Sequence, residues 1–346
     1  MSIEKAKKIR TPRLRLRSRG GVWNTAIKLV VFLLLAGVIY RQIIARENIE
    51  QLWSAFREST TASSWPWLAL ALLLMPLNWA FETQKWRVLI QNFEVLSFGR
   101  ACRAVLSGVT LSLFTPNRVG EDGGRILFLR PEHNSLGVIA TLVGSNAQLL
   151  VLLGAGLMGT LYFAQAHQLL EALFLPLLFF LGLGLIGLLL FCFFNIDLIV
   201  PIAKRIPLLY RFRRFLKHVR LLESYSTEEL VRALRFAGLR YATYALQYYL
   251  FIRFFGIEVP PLEGMAGIAT IFLFQTSIPL PPLMGLLVRG KVALFVWGLY
   301  SANEIAILAA TFGLWILNLI LPALVGTAFM LKINVLKSLG YEKKNA

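Results

Sequence analysis

The sequence predicts an all-α polytopic membrane protein with about six full spans and two re-entrant helical hairpins arranged as an inverted repeat. Three observations support this prediction. Hydrophobic residues make up 57% of the 346 residues, and many of them lie in continuous runs of about 20 residues. Two other apolar runs are too short to cross a bilayer and are interrupted by proline. These two interrupted segments also resemble each other when the sequence is aligned with itself.

The composition argues against several protein classes. A transmembrane β-barrel would show alternating segments of about ten residues, whereas the apolar runs here are continuous. The net charge of +18 fits basic cytoplasmic loops that touch anionic lipid, and we expect no nucleic-acid partner. Two cysteines and three scattered histidines form no spaced set, so we expect no disulfide, no metal site and no cofactor. These residues are Cys102, Cys192, His133, His167 and His218.

Basic residues predict the direction of each span. Eight Lys or Arg residues precede an apolar run at 22–44, which is too long for a signal peptide and is expected to be an uncleaved first span. Basic loops and a basic C-terminal end alternate with the later apolar runs, which places both termini in the cytoplasm. The further predicted spans are 65–81, 136–164, 173–194, 232–255 and 302–331.

The predicted organisation has a basic tail at each end and two repeats separated by a basic segment. In that segment Lys and Arg alternate with Leu, Tyr and Phe, which is typical of a helix on an anionic membrane face or of an ordinary basic loop. The parts are a cytoplasmic tail (1–21), two N-terminal spans (22–100), a first repeat with a hairpin (101–194), a basic amphipathic cytoplasmic segment (195–228), a second repeat with a hairpin (229–332) and a cytoplasmic tail (333–346).

Two apolar segments are too short to be full spans. Residues 104–115 would form roughly 18 Å of helix, whereas the bilayer core is about 30 Å thick. Pro116 ends this helix, because proline lacks an N–H group and restricts the residue before it, and 118–130 can then return. The segment 264–300 is interrupted in the same way at the sequence IPLPP. Both segments are predicted to be re-entrant helical hairpins.

The two interrupted segments match each other without gaps when Pro116 is aligned with Pro282. One hairpin would enter from the inside and the other from the outside, so the likeness predicts an inverted repeat, as in transporters with a central site. A chance likeness between unrelated apolar segments is the alternative. The same register, which we call the repeat alignment, also pairs Gly124 with Gly290, Arg125 with Lys291, and Ser135 with Ser301.

The sequence also predicts where the long spans after the hairpins begin. Ser301 opens the sequence SANE, in which Ser301 and Glu304 have the spacing of a helix capping box. We therefore expect Ser135 and Ser301 each to start the long span that follows its hairpin.

Charge within the hairpins predicts an anion site. A cation at the bilayer centre costs about 3 kcal/mol or more, so it is paired or functional. Cations from two tips at the midplane would match the oxygens of a lipid phosphate, and tip glycines would let backbone approach it.

Alternatively, the first hairpin is a cytoplasmic loop in which Arg125 and Arg130 reach the surface and Glu121 is paired locally. The predicted phosphate-binding residues are Arg118, Arg125, Arg289 and Lys291; Glu121, Asp122 and Glu304 are expected to balance charge or carry a coupling proton; the tips are Pro116, Gly120, Gly124, Pro282, Gly285 and Gly290.

The sequence TPNRVGEDGGR at 115–125 resembles the Thr-Pro-x-Arg-x-Gly-Glu/Asp motif of the lysylphosphatidylglycerol synthase transmembrane-region family, whose members are flippase-like. The block at 281–326 is similar to a later block of that family, and the likeness runs from about Thr61 to Leu331. It implies a bacterial inner-membrane protein that moves or binds phospholipids or related lipid-linked molecules. The chain departs from the family pattern at Gly285, Gly290 and Trp315. The motif positions that match are Pro116, Arg118, Gly120, Glu121, Arg125, Gly285 and Arg289.

Two function classes follow from these observations. The leading hypothesis is a lipid flippase or transporter that binds the headgroup of a phospholipid or other anionic lipid in a central membrane cavity, as a monomer or a homo-oligomer. The alternative is a membrane enzyme or accessory subunit acting on a polyprenyl- or glycolipid phosphate, in which Glu121 and Asp122 would serve as base or metal ligands. A non-catalytic scaffold is a third interpretation.

Overall fold

All regular secondary structure in the described part of the chain is helical. The computed structural model describes residues 63–113, 115, 120–171, 173–198, 220–277 and 282–338, with isolated positions at 30, 33, 50, 53, 54, 57 and 58. No strand occurs among these residues, which confirms the all-α class for them. The N-terminal tail, nearly all of the predicted first span at 22–44 and most of the amphipathic segment lie outside the described residues.

The first group of helices contains the first predicted hairpin. Its helices are α1 (Trp65–Ile90), α2 (Phe98–Ser112), α3 (Gly120–Ile126), α4 (Asn134–Ala166, preceded by a 3-10 turn at Pro131–His133) and α5 (Phe174–Phe194). The interruption between α2 and α3 falls where the Thr-Pro sequence predicts it. However, α1 continues well beyond the predicted end of its span at residue 81.

The second group of helices contains the second predicted hairpin, and short 3-10 turns at Ile196–Leu198 and Arg220–Ser224 precede it. Its helices are α6 (Thr227–Phe254), α7 (Pro261–Ser277), α8 (Pro282–Trp297), α9 (Glu304–Trp315), a π-helical turn (Ile316–Ile320), α10 (Leu321–Met330) and the short α11 (Val335–Ser338). The predicted break at the IPLPP sequence, residues 278–282 between α7 and α8, lies almost entirely outside the described residues.

The predicted capping at the long spans is wrong. Asn303 caps α9, since its Oδ1 accepts a hydrogen bond from the Ala306 N–H at 3.0 Å. Ser301 lies two residues earlier and accepts from the Asn303 N–H at 3.2 Å instead. Asparagine is as favourable at the N-cap position as serine, so Asn303 can take this position in place of Ser301. Ser135 likewise lies inside the first turn of α4, because the 3-10 turn already leads into the helix at residue 134.

The capping box in the described chain is at the start of α6. The Ser226 hydroxyl accepts from the Glu229 N–H at 3.2 Å, and the Glu229 carboxylate accepts from the Ser226 N–H at 2.9 Å. Both contacts satisfy N–H groups that have no partner within the helix. The box therefore fixes the start of α6, five residues before the predicted span at 232–255.

The helix order of the first group is repeated in the second. The repeat alignment carries α1, α2 and α3 onto α6, α7 and α8, and it carries α4 onto α9 and α10. The packing is repeated as well: α1 packs along α6, α2 packs on α3 and α10, and α7 packs on α8 and α4. The first helix of each hairpin thus contacts the long segment that follows the hairpin of the other group. The match between the two segments therefore extends from sequence to helix order and helix contacts.

Two tip glycines allow the arms of the first hairpin to pack closely. A Cβ atom on Gly124 would collide with the backbone of Gly108 in α2, and one on Gly120 would collide with the Leu111 carbonyl oxygen. The sequence suggested that these glycines admit a lipid phosphate, but the contact they make in the structure is with the backbone of the neighbouring arm. Close backbone approach is the property that requires glycine here.

Among the described residues, three helical segments are long and apolar enough to cross a membrane. They are Pro131–Ala166, Phe174–Phe194 and Glu304–Leu331, and they agree with the predicted spans at 136–164, 173–194 and 302–331. The apolar stretch of α5 is only 6% buried, so this helix contacts mainly α4 and leaves its side chains to the surrounding medium. An apolar surface of this extent is what lipid-facing helices require.

We predict that the two neighbouring glycines of α3 differ sharply in their response to alanine. Gly124→Ala should lower the free energy of unfolding by about 1–3 kcal/mol, because the new methyl group meets the backbone of Gly108 and the hairpin arms must separate. Gly123→Ala is the matched control, since its Cβ would meet only Leu111 Cδ1, at 3.6 Å. Thermal unfolding in detergent measures both. Equal midpoints for the two variants would contradict the packing described.

Candidate functional site

A buried carboxylate on α1 binds three cations directly. Glu82 is only 2% exposed. Its Oε1 accepts a hydrogen bond from Arg125 Nη2 at 2.7 Å, and its Oε2 accepts from Lys85 Nζ at 2.7 Å and from Arg240 Nη1 at 2.6 Å. Arg125 also donates to Glu121 Oε2 at 3.1 Å. We call these five residues, Glu82, Lys85, Glu121, Arg125 and Arg240, the Glu82 cluster.

The Glu82 cluster joins three helices. Glu82 and Lys85 lie one turn apart on α1, Arg125 projects from α3, the returning arm of the first hairpin, and Arg240 projects from α6. Two tryptophans of α1 flank the guanidinium groups: the Arg240 Cζ atom is 5.1 Å from the Trp79 ring centroid, and the Arg125 Cζ atom is 5.9 Å from the Trp86 centroid. Such aromatic faces attract cations and also exclude water from the ion pairs.

The charges of the Glu82 cluster balance only when the neighbouring Asp122 is counted. Three cations contact two carboxylates, which leaves one positive charge in excess within the directly bonded group. Asp122 is half-buried beside them and interacts electrostatically with Arg125. Arg125 is 2% exposed, and its Nε–H group has no hydrogen-bond partner among the described residues. A buried donor without a partner favours an added acceptor.

Two contacts place the Glu82 cluster halfway along the long helices. Lys85 Nζ donates to Gln148 Oε1 at 3.4 Å, and Gln148 lies two residues from the midpoint of α4. One turn before Glu82 on α1, Asn78 Nδ2 donates to Asn318 Oδ1 at 2.8 Å. Asn318 lies in the π-helical turn at the middle of the segment Glu304–Leu331, and such turns are frequent at functional sites. The structure thus contains a polar layer at mid-depth of two candidate membrane spans.

The predicted phosphate-binding cations do not form one group among the described residues. Arg125 is in the Glu82 cluster, whereas Arg289 is half-buried on α8 within electrostatic range of the Tyr248 hydroxyl. Lys291 is exposed on α8. Arg118 lies outside the described residues.

The remaining predicted site residues lie at helix starts or at the hairpin interruptions. Glu121 and Asp122 lie in the first turn of α3, where Glu121 pairs with Arg125, and Glu304 is the exposed first residue of α9. Pro116 is outside the described residues, while the backbone of Pro282 and Gly285 forms the first turn of α8. Gly290 is buried on α8 near Leu308.

The central residues of the Glu82 cluster were missed by the sequence reasoning. The predicted span ended at residue 81, one position before Glu82, and Lys85 was assigned to a basic loop. The available signal was Arg240, one of four arginines inside the predicted span 232–255, because ionisable residues within spans are costly and mark functional sites. Periodicity does not reveal which acid lies opposite such a cation.

The second group of helices has no counterpart of the Glu82 carboxylate. The repeat alignment pairs Glu82 with Tyr248, which is also buried. The Tyr248 hydroxyl bonds to Thr311 Oγ1 at 2.7 Å and accepts from Trp297 Nε1 at 3.2 Å. The repeated helices therefore enclose a charged centre in one group and an uncharged aromatic centre in the other.

Comparison with known proteins identifies the family. Residues 25–326 match the family described as the lysylphosphatidylglycerol synthase TM region. The chain belongs to this family. The match covers all five residues of the Glu82 cluster and both hairpins, and it confirms the resemblance carried by 115–125 and 281–326. No curated protein matches the chain closely enough for a residue-by-residue comparison. Among the described residues of the sequence TPNRVGEDGGR in this lysylphosphatidylglycerol synthase TM-region protein, Arg125 contacts Glu82.

We predict that Glu82→Gln strongly destabilises the protein. The substitution leaves three buried cations against one remaining carboxylate, and breaking a buried pair in this way costs about 3–5 kcal/mol. Chemical unfolding in mixed micelles, followed by tryptophan fluorescence, measures the loss. The matched control is Glu228→Gln, since Glu228 forms only an exposed pair with Arg232 at 3.7 Å and should contribute little.

A double variant separates charge balance from loss of shape. Arg240→Gln combined with Glu82→Gln removes one charge of each sign, so the pair should be more stable than the sum of the single effects predicts. Strict additivity of the two single effects would show that Glu82 and Arg240 are not coupled.

Proposed function

We propose that the protein is a lipid flippase or transporter that binds the headgroup of a phospholipid or other anionic lipid at the Glu82 cluster. The observation that carries this proposal is the contact of three cations with a single buried carboxylate at mid-depth of the long helices. Charge at that depth is expensive, and in transport proteins it lines the substrate or ion path. Membership of a flippase-like family supports the same assignment.

The groups of the Glu82 cluster allow a lipid phosphate to replace a carboxylate as the hydrogen-bond acceptor. A lipid phosphate offers anionic oxygens that can replace a carboxylate oxygen as acceptor from Arg125 or Arg240. Glu82 then acts as the internal counter-ion, which holds the cations in position whenever the headgroup is not bound. The three adjacent cations favour an anionic headgroup over a zwitterionic one. Glu121 and Asp122 balance charge, and with Glu304 they remain our candidates for coupling.

The helix arrangement supports alternating access. We propose six full spans and two re-entrant hairpins that enter from opposite faces, with both termini in the cytoplasm of a bacterial cell and the repeats at 101–194 and 229–332. Support comes from the break between α2 and α3 and from the repeated helix order. Since α2 packs on α10 and α7 packs on α4, movement of one hairpin changes its contact with the other group. Transporters with inverted repeats open their central site to alternate sides in this way.

The cations outside the Glu82 cluster have a separate proposed role. Lys291 is exposed and Arg289 is half-buried, so burial increases from Lys291 to Arg289 on α8. We assign them, with Arg118, to capture of the lipid phosphate before it reaches Arg125. The hairpin tips at Pro116, Gly120, Gly124, Pro282, Gly285 and Gly290 would position these cations by ending or starting helices near the midplane.

We predict that Arg240→Gln slows lipid movement by at least about tenfold, since a charge-assisted hydrogen bond to the headgroup is worth about 1.5–3 kcal/mol. The measurement uses vesicles with the purified full chain and a tagged phosphatidylglycerol, and follows the exposure of the tag to an impermeant quencher. Tagged phosphatidylcholine reports on charge selectivity.

Arg232→Gln is the matched control on the same helix. Arg232 lies eight residues before Arg240 and makes only the exposed pair with Glu228, so its loss should leave transport unchanged. Unfolding midpoints of both variants verify that each is folded, and Arg240→Lys tests the role of the guanidinium if Arg240→Gln is unstable. Equal transport by both variants, or equal movement of the two lipids, would refute the proposed site. Turnover of a lipid pyrophosphate would instead support the enzyme alternative.

A further inference from the structure

Both histidines that the structure describes lie at the ends of α4. His133 is the N-cap residue of this helix and His167 is its C-cap residue. The helix has 33 residues and is therefore about 50 Å long, which exceeds the bilayer core of about 30 Å. If α4 spans the membrane, the two imidazoles lie near opposite aqueous faces.

His133 belongs to a group of contacts at the base of the first hairpin, which we call the first latch: Glu94, His133 and the Arg130 N–H. Glu94 precedes α2 and is 8% exposed. Its Oε2 accepts from His133 Nδ1 at 2.9 Å and from the Arg130 N–H at 3.0 Å. The first latch therefore connects the chain that enters the hairpin to the chain that leaves it.

His167 belongs to a corresponding group at the second hairpin, which we call the second latch: Glu263, Tyr300 and His167. Glu263 lies in the first turn of α7, and Tyr300 follows α8. The Tyr300 hydroxyl donates to Glu263 Oε2 at 2.8 Å. That hydroxyl has a single hydrogen, so in the 2.7 Å contact with His167 the imidazole Nε2–H must be the donor. The second latch connects both ends of the second hairpin to the end of α4.

We propose that His133 and His167 are proton-binding sites on opposite faces of the protein, and that protonation of each one strengthens the latch at the base of the adjoining hairpin. This deepens the proposed function and rests on it, because it supplies a coupling ion for hairpin movement. In the second latch a proton from solvent adds to His167 Nδ1, since Nε2 already carries a hydrogen. In the first latch it adds to His133 Nε2, since Nδ1 donates to Glu94.

The charges around each imidazole favour this response. A protonated His133 forms an ion pair with Glu94, and a protonated His167 lies at the C-terminus of α4, where the helix dipole favours a cation. At the N-terminus of α4 the dipole opposes the charge on His133, and the Glu94 carboxylate offsets it. The titratable and charged groups near the first latch are Glu94, Arg100, Arg130 and Glu132; those near the second are Glu263, Tyr300, Tyr162 and Glu171.

Hydrogen exchange measured by mass spectrometry on the full chain in nanodiscs tests the proposal without a transport assay. Between about pH 8 and about pH 5 the protection factors at both hairpin bases, corrected for the intrinsic exchange rate, should rise by at least about fivefold. His167→Gln should abolish this rise at the second hairpin and preserve it at the first. His133→Gln should do the reverse, so each variant is the control for the other.

A further variant removes one contact of the second latch and keeps its aromatic ring. Tyr300→Phe should also abolish the rise at the second hairpin, because it separates His167 from Glu263. Protection that does not change with pH, or a histidine variant that alters both hairpins equally, would overturn the proposal.

Lipid transport by the same preparations distinguishes the two proposals. If protection follows pH as expected but no anionic lipid moves, the latches stand and the flippase assignment fails. If lipid moves while protection does not depend on pH, the flippase assignment stands and the proton sites fail.

Discussion

The structure depends on the ion pairs between the buried Glu82 carboxylate and its three cations. In a low-dielectric interior none of these groups can be left without its partner, because an isolated buried charge costs several kcal/mol. The partners come from α1, α3 and α6, so the ion pairs fix the returning arm of the first hairpin against the two long central helices. The same groups supply donors that a phosphate could use. Stability and ligand chemistry therefore rely on the same contacts.

A repeated scaffold carries different chemistry in its two halves. Helix order and packing correspond in the repeat alignment, yet a tyrosine hydrogen-bonded to threonine and tryptophan replaces the central carboxylate in the second group. The bases of the hairpins differ too: Glu94 bonds directly to His133, whereas Glu263 reaches His167 through Tyr300. Two halves with unequal charge respond unequally to an anion or a proton.

Much of the fold could be predicted from local sequence, because proline, chain length and hydropathy act locally. The helix end before Pro116 and three of the long spans agree with the structure. The errors have local causes as well. The helix start expected at Ser301 was displaced by the better placed Asn303. The predicted span ended at residue 81, whereas α1 continues to Ile90.

The sequence by itself determined the membrane class, the positions of the helix breaks and the family, since composition and a short motif suffice for each. Only the tertiary structure decided which charges meet. Glu82 pairs with a residue 43 positions away and with another 158 positions away, and it shares no motif with either. Ion pairs form where folding brings side chains within a few ångströms, so a cation inside a span shows that a partner is required without showing which one. For this reason the sequence could predict Arg125 as a site residue, whereas Glu82 was identified only from the folded structure.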